Sequence, residues 1–125
     1  MSSEQNKAAL RRWMESWNTR DASVLESMAV ETFAVDFVMY DNAKPAEAMG
    51  LEGVRQFIHA ALKNRPYIQL TCEDLVAEED KVAVRYMVSG TDSSTGKPSR
   101  QLMMDIFRFA DGKIVEDRGL SIPVD

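Results

Sequence analysis

Cysteine and histidine are almost missing from this chain, with Cys72 and His59 the sole examples in 125 residues. A lone thiol excludes an intrachain disulfide, and its place in a predicted strand makes it a buried thiol suited to a reducing, cytoplasmic setting. One histidine and one cysteine, distant in sequence, form no metal-ligand set. Nor can a Ser-His-Asp triad be argued from one histidine that sits beside Ile58 but off the apolar stripe, an exposed or helix-packing position. A Gly-rich phosphate loop is absent, and Gly96 and Gly112 read as turn glycines. No cofactor and no metal are therefore expected. Basic charge is also short, with 15 Lys and Arg against 20 Asp and Glu and a net charge of -5. That excludes the basic face needed by a nucleic-acid or anionic-membrane partner. No apolar run approaches the ~18 residues of a membrane span, and MSSEQNKAALRR has no apolar signal core.

What remains is the composition of an ordinary soluble domain, 45% hydrophobic and 28% charged. The length suits a single domain, residues 1–125, with a real core. Leu10, Trp13, Met14 and Trp17 repeat at helical spacing within a helix over 5–17. Asn18-Thr19-Arg20-Asp21 breaks it, and Asp21 is placed to cap a short second helix over 22–29 that buries Val24, Leu25 and Met28. Phe33 to Tyr40 reads as a strand, followed by a loop to Gly50. A third helix, Glu52 to Lys63, carries Val54, Phe57, Ile58, Ala61 and Leu62 on one face and ends before Pro66. Four strands follow: Tyr67–Ala77, Lys81–Thr91, Gln101–Phe109 and Lys113 to about Pro123. Asp111-Gly112 is a strong hairpin signal. Segregated helices and a mostly antiparallel meander make an α+β domain, with three helices wrapping a curved sheet into a cone with an apolar interior.

Asp105 lies in the middle of the apolar run Leu102-Met103-Met104-Asp105-Ile106-Phe107-Arg108-Phe109. Side chains alternate along a strand, so Asp105 shares a face with Met103, Phe107 and Phe109, while Leu102, Met104 and Ile106 fill the other. A carboxylate on an apolar face must be paired, hydrogen-bonded or protonated. Two readings stand. In one, Asp105 pairs with Arg85 or Arg118 across the sheet, and Asp41 caps a turn with Asn42. In the other, Asp41 and Asp105 share a pocket whose environment pushes their proton affinities apart.

The segments Trp17-Asn18-Thr19-Arg20-Asp21, Phe37-Val38-Met39-Tyr40-Asp41, Gly50-Leu51-Glu52-Gly53-Val54-Arg55-Gln56-Phe57 and Ile106 to Glu116 resemble the nuclear transport factor 2-like superfamily. Within it, the chain is similar to the SnoaL-like and ketosteroid-isomerase-like branch over essentially its whole length. The resemblance implies a cone-shaped α+β fold. It puts Asp41 at the place of the ketosteroid isomerases' general base and Asp105 at that of their protonated, oxyanion-binding Asp. Trp13 falls where those enzymes carry the oxyanion-hole tyrosine, and Ala29 and Ile58 where they carry supporting tyrosines. Against the SnoaL-type cyclases, Gly119 takes the place of the catalytic Asp, with Asp117 two residues earlier on the same strand face. Asp105 replaces the cyclase histidine.

The resulting expectation is a small hydrophobic ligand in the cone. Asp41 and Asp105 are the catalytic pair for cofactor-independent proton transfer beside a carbonyl. Trp13, Tyr40, Phe57, Met103 and Phe107 contact the ligand. Trp17 and Tyr86 belong either to the same wall or to ordinary core, and Trp13 and Tyr40 each add a polar tip. A non-catalytic binding or protein-interaction module of the same fold is the alternative. Because both faces of 102–109 are largely apolar, the outer face is expected to pair with a second copy as a homodimer, with Arg108 at or near the contact.

Overall fold

The computed structural model describes residues 2–41, 44–45 and 50–124, with the backbone alone at 41, 44 and 45. Helix α1 (Ser3–Ser16) opens on a capping box, in which the Ser2 hydroxyl accepts from the Gln5 N–H and the Gln5 side chain accepts from the Ser2 N–H. Its apolar stripe is buried, Leu10 completely, with Trp13, Met14 and Trp17 nearly so. A 3-10 turn, Trp17–Thr19, follows, and Arg20 ends it in the left-handed conformation at φ 55°.

The four residues after Trp17 form a clamp. Asn18 both donates to the Leu70 carbonyl at 3.1 Å and accepts from the Leu70 N–H at 2.8 Å. The Arg20 guanidinium donates to the Ile68 carbonyl at 2.9 Å, and the Asp21 carboxylate accepts from the Ser23 and Val24 N–H groups. The corner between the first two helices is thereby fastened to the edge of the sheet, and Asp21 is the N-cap expected of it.

Helix α2 (Ala22–Thr32) runs three residues beyond the end read from the sequence. It buries Leu25, Ala29 and Thr32, whereas Val24 is 38% exposed. The inward face of this short helix is thus set by docking rather than by its apolar residues alone. Helix α3 (Gly50–Asn64) buries Gly53, Val54 and Ile58. Glu26 ties the two helices together, accepting from Arg55 Nε at 2.8 Å and lying 3.0 Å from His59 Nε2. His59 is accordingly a half-exposed helix-packing residue.

The strands are β1 (Phe33–Asp41), β2 (Lys44–Pro45), β3 (Gln69–Glu78), β4 (Lys81–Thr91), β5 (Pro98–Ala110) and β6 (Lys113–Val124). They form one curled sheet in the order β2-β1-β6-β5-β4-β3. All pairings are antiparallel except β1 with β6, which run parallel. Two readings change. Lys44–Pro45 pairs back on β1 within what reads as loop. Tyr67, read as the start of a strand, is a turn residue at φ 64° and 72% exposed. The Asp111-Gly112 turn has both φ values positive, at 51° and 79°, the geometry that suits strand twist in a two-residue hairpin. Helices α1 and α3 cover the concave face, and the core runs between them and β4, β5 and β6.

Candidate active site

The concave face does not fill completely. It encloses a cavity of about 530 Å3, within the ~300–1,000 Å3 typical of small-molecule sites. Helix α1 and the turn after it contribute Trp13, Met14 and Trp17, and α3 contributes Val54, Phe57, Ala61 and Asn64. The aromatic wall is built from edge-to-face contacts. Trp13 meets Trp17 at 5.7 Å and Phe33 at 4.9 Å between ring centroids, and Phe33 meets Phe37 at 4.7 Å. Each such contact adds roughly 0.5–1.5 kcal/mol beyond area burial and holds the rings in fixed orientations. Phe57 stands at the mouth, 49% exposed and edge-on to Trp17.

Two carboxyls interrupt this wall. Asp105 on β5 is 5% exposed and Asp117 on β6 is 8% exposed, and both line the cavity. Asp105 stands opposite Gly119 and Phe107 opposite Asp117, so the two carboxyls are diagonal neighbours on one face of adjacent strands. A Cβ at position 119 would lie 2.6 Å from Asp105 Oδ2 and 3.1 Å from Oδ1. The Asp105 carboxyl therefore occupies the room that a side chain at 119 would take.

A β-bulge sets this geometry. Arg108 pairs with Glu116 but Phe109 pairs with Ile114, leaving Val115 as the extra residue. Ile114 points inward and is fully buried. Strict alternation from it would turn Glu116 and Arg118 inward. The extra residue reverses the phase and aims Asp117, Gly119 and Ser121 at the cavity instead. Glu116 is sent to the outer face between Arg108 at 3.2 Å and Arg118 at 2.8 Å. Burial pushes its proton affinity up, but the two arginines outweigh burial and hold it below the usual carboxylate range.

Of the residues singled out from the sequence, Trp13, Tyr40, Phe57, Met103, Asp105 and Phe107 all border the cavity, as do Trp17 and Tyr86. The Tyr40 ring, however, lies under the Arg118 guanidinium, 4.0 Å from its carbon, and so turns toward the outer face that Arg118 occupies. The Asp41 backbone pairs in register with Gly119, level with Asp105 across β6, while its side chain lies outside the described residues, as does Asn42. Arg85 pairs with Glu73 and Asp74, and Arg118 with Glu116, on the outer face of the sheet. Asp117 and Ser121 are wall residues that the sequence does not single out as ligand contacts. The Asp111-Gly112 turn suggests the hairpin, but the bulge that orients them leaves no plain mark. Arg65 is the sole cationic side chain on the cavity wall among the described residues, and its guanidinium donates to Gln101 Oε1 at 3.3 Å. Burial pushes the Cys72 thiol above its ordinary value.

Residues 10–117 match the SnoaL-like domain, and the chain belongs to that family. No curated protein matches in sequence. Among solved structures, AclR from Streptomyces galilaeus, a candidate hydroxylase, is 26% identical with a TM-score of 0.79, covering 96% of this chain and 80% of its own. IdmH from Streptomyces antibioticus, a candidate polyketide cyclase, is 28% identical with a TM-score of 0.72, covering 94% and 91%. A protein of ketosteroid isomerase-like fold from Catenulispora acidiphila, in complex with trimethylamine, is 18% identical with a TM-score of 0.74, covering 89% and 82%. The architecture is thus that of the nuclear transport factor 2-like and ketosteroid isomerase-like proteins. Among the described residues, no helix is long and apolar enough to cross a membrane.

Proposed function

We propose that the cavity takes up a small hydrophobic carbonyl compound and transfers a proton next to the carbonyl without a cofactor, in an isomerase- or cyclase-type reaction. Asp105 acts as the acid that donates to the developing oxyanion, and Asp41 acts as the base. The observation that supports this most is a carboxyl only 5% exposed on the wall of an aromatic cavity of about 530 Å3. Such surroundings disfavour the charged form and make a neutral acid available as a hydrogen-bond donor. The similarity to a candidate polyketide cyclase agrees with chemistry on a carbonyl substrate. The same cytoplasmic protein is proposed to pair as a homodimer through the outer face of its sheet, where Met104, Ile106, Leu120 and Ile122 are all about half exposed or more.

Deuterium exchange from solvent into 2-tetralone, followed by proton NMR, tests the assignment. Wild type accelerates the exchange. Asp41→Asn abolishes it while ligand-induced changes in tryptophan fluorescence persist, and Asp105→Asn slows it on the order of 100-fold. Exchange by Asp41→Asn at the wild-type rate removes Asp41 as the base. A second reading, a binding module without turnover, is favoured by Trp13 at the position where the resemblance calls for a tyrosine. It predicts the fluorescence change with no exchange in wild type.

A further inference from the structure

Asp105 and Asp117 are the only buried acidic side chains among the described residues. They share one face of two adjacent antiparallel strands. Because position 119 has no side chain, the Asp105 carboxyl lies over β6, between the inward-facing positions 117 and 121. Resting on the cavity reading above, we infer that Asp105 and Asp117 hold a single proton between them, with Asp117 the positioning residue that keeps Asp105 in its donor form.

The physical reason is the cost of two negative charges in one apolar site. The first carboxyl to ionise is stabilised by the O–H of the other, and the second must ionise beside an existing charge with little water to screen it. Among the described residues, the wall carries one cationic side chain, Arg65. The helices present Trp13, Met14, Trp17, Val54, Phe57 and Ala61, none of which carries charge. Arg65 is engaged with Gln101 at the rim, and Asp92 accepts from Ser94 within its own turn. Ser121 flanks Gly119 on the side away from Asp117. The Asp41 backbone is level with Gly119. Arg85, Arg118 and Glu116 belong to the other face of the sheet.

A pair with one proton offers a donor and an acceptor side by side. When a carbonyl oxygen enters, the Asp105 O–H turns to it and Asp117 remains the carboxylate. The site then favours neutral hydrogen-bond acceptors and disfavours carboxylate ligands.

Carbon-13 NMR titration of the ligand-free protein, following both carboxyls, tests the pair directly. Wild type is expected to show two steps separated by more than about one pH unit, each sensed by both carboxyls. In Asp117→Asn, Asp105 titrates in one step, below the upper step of wild type. In Asp105→Asn, Asp117 does likewise, so the reciprocal variant serves if the first does not fold. Independent titration of the two carboxyls in wild type overturns the inference. So does an Asp105 step that stays equally high in Asp117→Asn, because burial alone would then hold its proton. The test is separate from turnover. A shared proton with no exchange into 2-tetralone would sink the proposed reaction and leave the pair standing, and exchange by independently titrating carboxyls would do the reverse.

Discussion

Asp105 and Gly119 fit together as a side chain and the space left for it, the Asp105 Oδ2 lying 2.6 Å from where a Cβ at 119 would stand. Gly119→Ala must displace the carboxyl, and the atoms that yield are the free end of a side chain rather than backbone. Overpacking costs about 1–3 kcal/mol, while replacing glycine in ordinary strand conformation returns about 0.4–1 kcal/mol through the unfolded chain. A net loss of about 1 kcal/mol in urea unfolding is expected. The larger effect falls on the site, where the Asp105 carboxyl resonance moves and binding of 2-tetralone weakens. An unchanged Asp105 resonance in Gly119→Ala would mean that the carboxyl does not rest over position 119.

Much of this arrangement is legible in the residues. The stripe Leu10, Trp13, Met14 and Trp17 defines the buried face of α1, and alternation in β5 places Asp105 with Phe107 and Phe109 against the core. The limits of strand β4 coincide with Lys81 and Thr91, because the turns on both sides are marked by charged and small polar residues. What is not legible depends on contacts between distant segments. The parallel pairing of β1 with β6 joins elements separated by most of the chain. The inward face of α2 follows its docking, which exposes Val24 and buries Thr32. The choice between an arginine partner for Asp105 and a pocket turns on strand phase. Arg85 and Arg118 prove to be bound to acids on the opposite face. Asp117 is turned inward by one inserted residue, Val115, and a single-residue change of phase has no signature in composition.

Asp21 supplies a pH dependence remote from the cavity. Its carboxylate accepts from the Ser23 hydroxyl, foremost, and from the Ser23 and Val24 N–H groups, which hold it below its ordinary value. A carboxyl depressed in the folded state adds stability above its unfolded pKa and loses it as pH falls through the folded one. The contribution is complete at neutral pH, begins to fall as pH approaches the unfolded value of about 4, and is gone only below the folded value. Asp21→Asn keeps a capping amide but no charge. The gap between wild type and Asp21→Asn in urea midpoint should therefore close as pH is lowered from 5 to 2. A gap that is constant over that range would show that the carboxylate gains nothing from its hydrogen bonds at the helix start.

The outer face of the sheet gives the last test. Met104 stands opposite Leu120 and Leu102 opposite Ile122, and Ile106 lies beside them at 49% exposure. The Arg108-Glu116-Arg118 group borders this patch. An apolar patch rimmed by paired charges is the composition of a protein interface, and a twofold partner needs no second kind of surface. Ile106→Glu places a carboxylate in its middle. The half-exposed side chain makes few internal contacts, so monomer stability should change by only about 0.5 kcal/mol. The proposed dimer should dissociate, because each copy would bring an unpaired charge into the contact. Light scattering coupled to size exclusion, across a dilution series, reads this directly. Wild type running as a dimer with Ile106→Glu as a folded monomer fits a contact through β5 and β6. Wild type at monomer mass, or Ile106→Glu that remains dimeric, would place any self-association elsewhere.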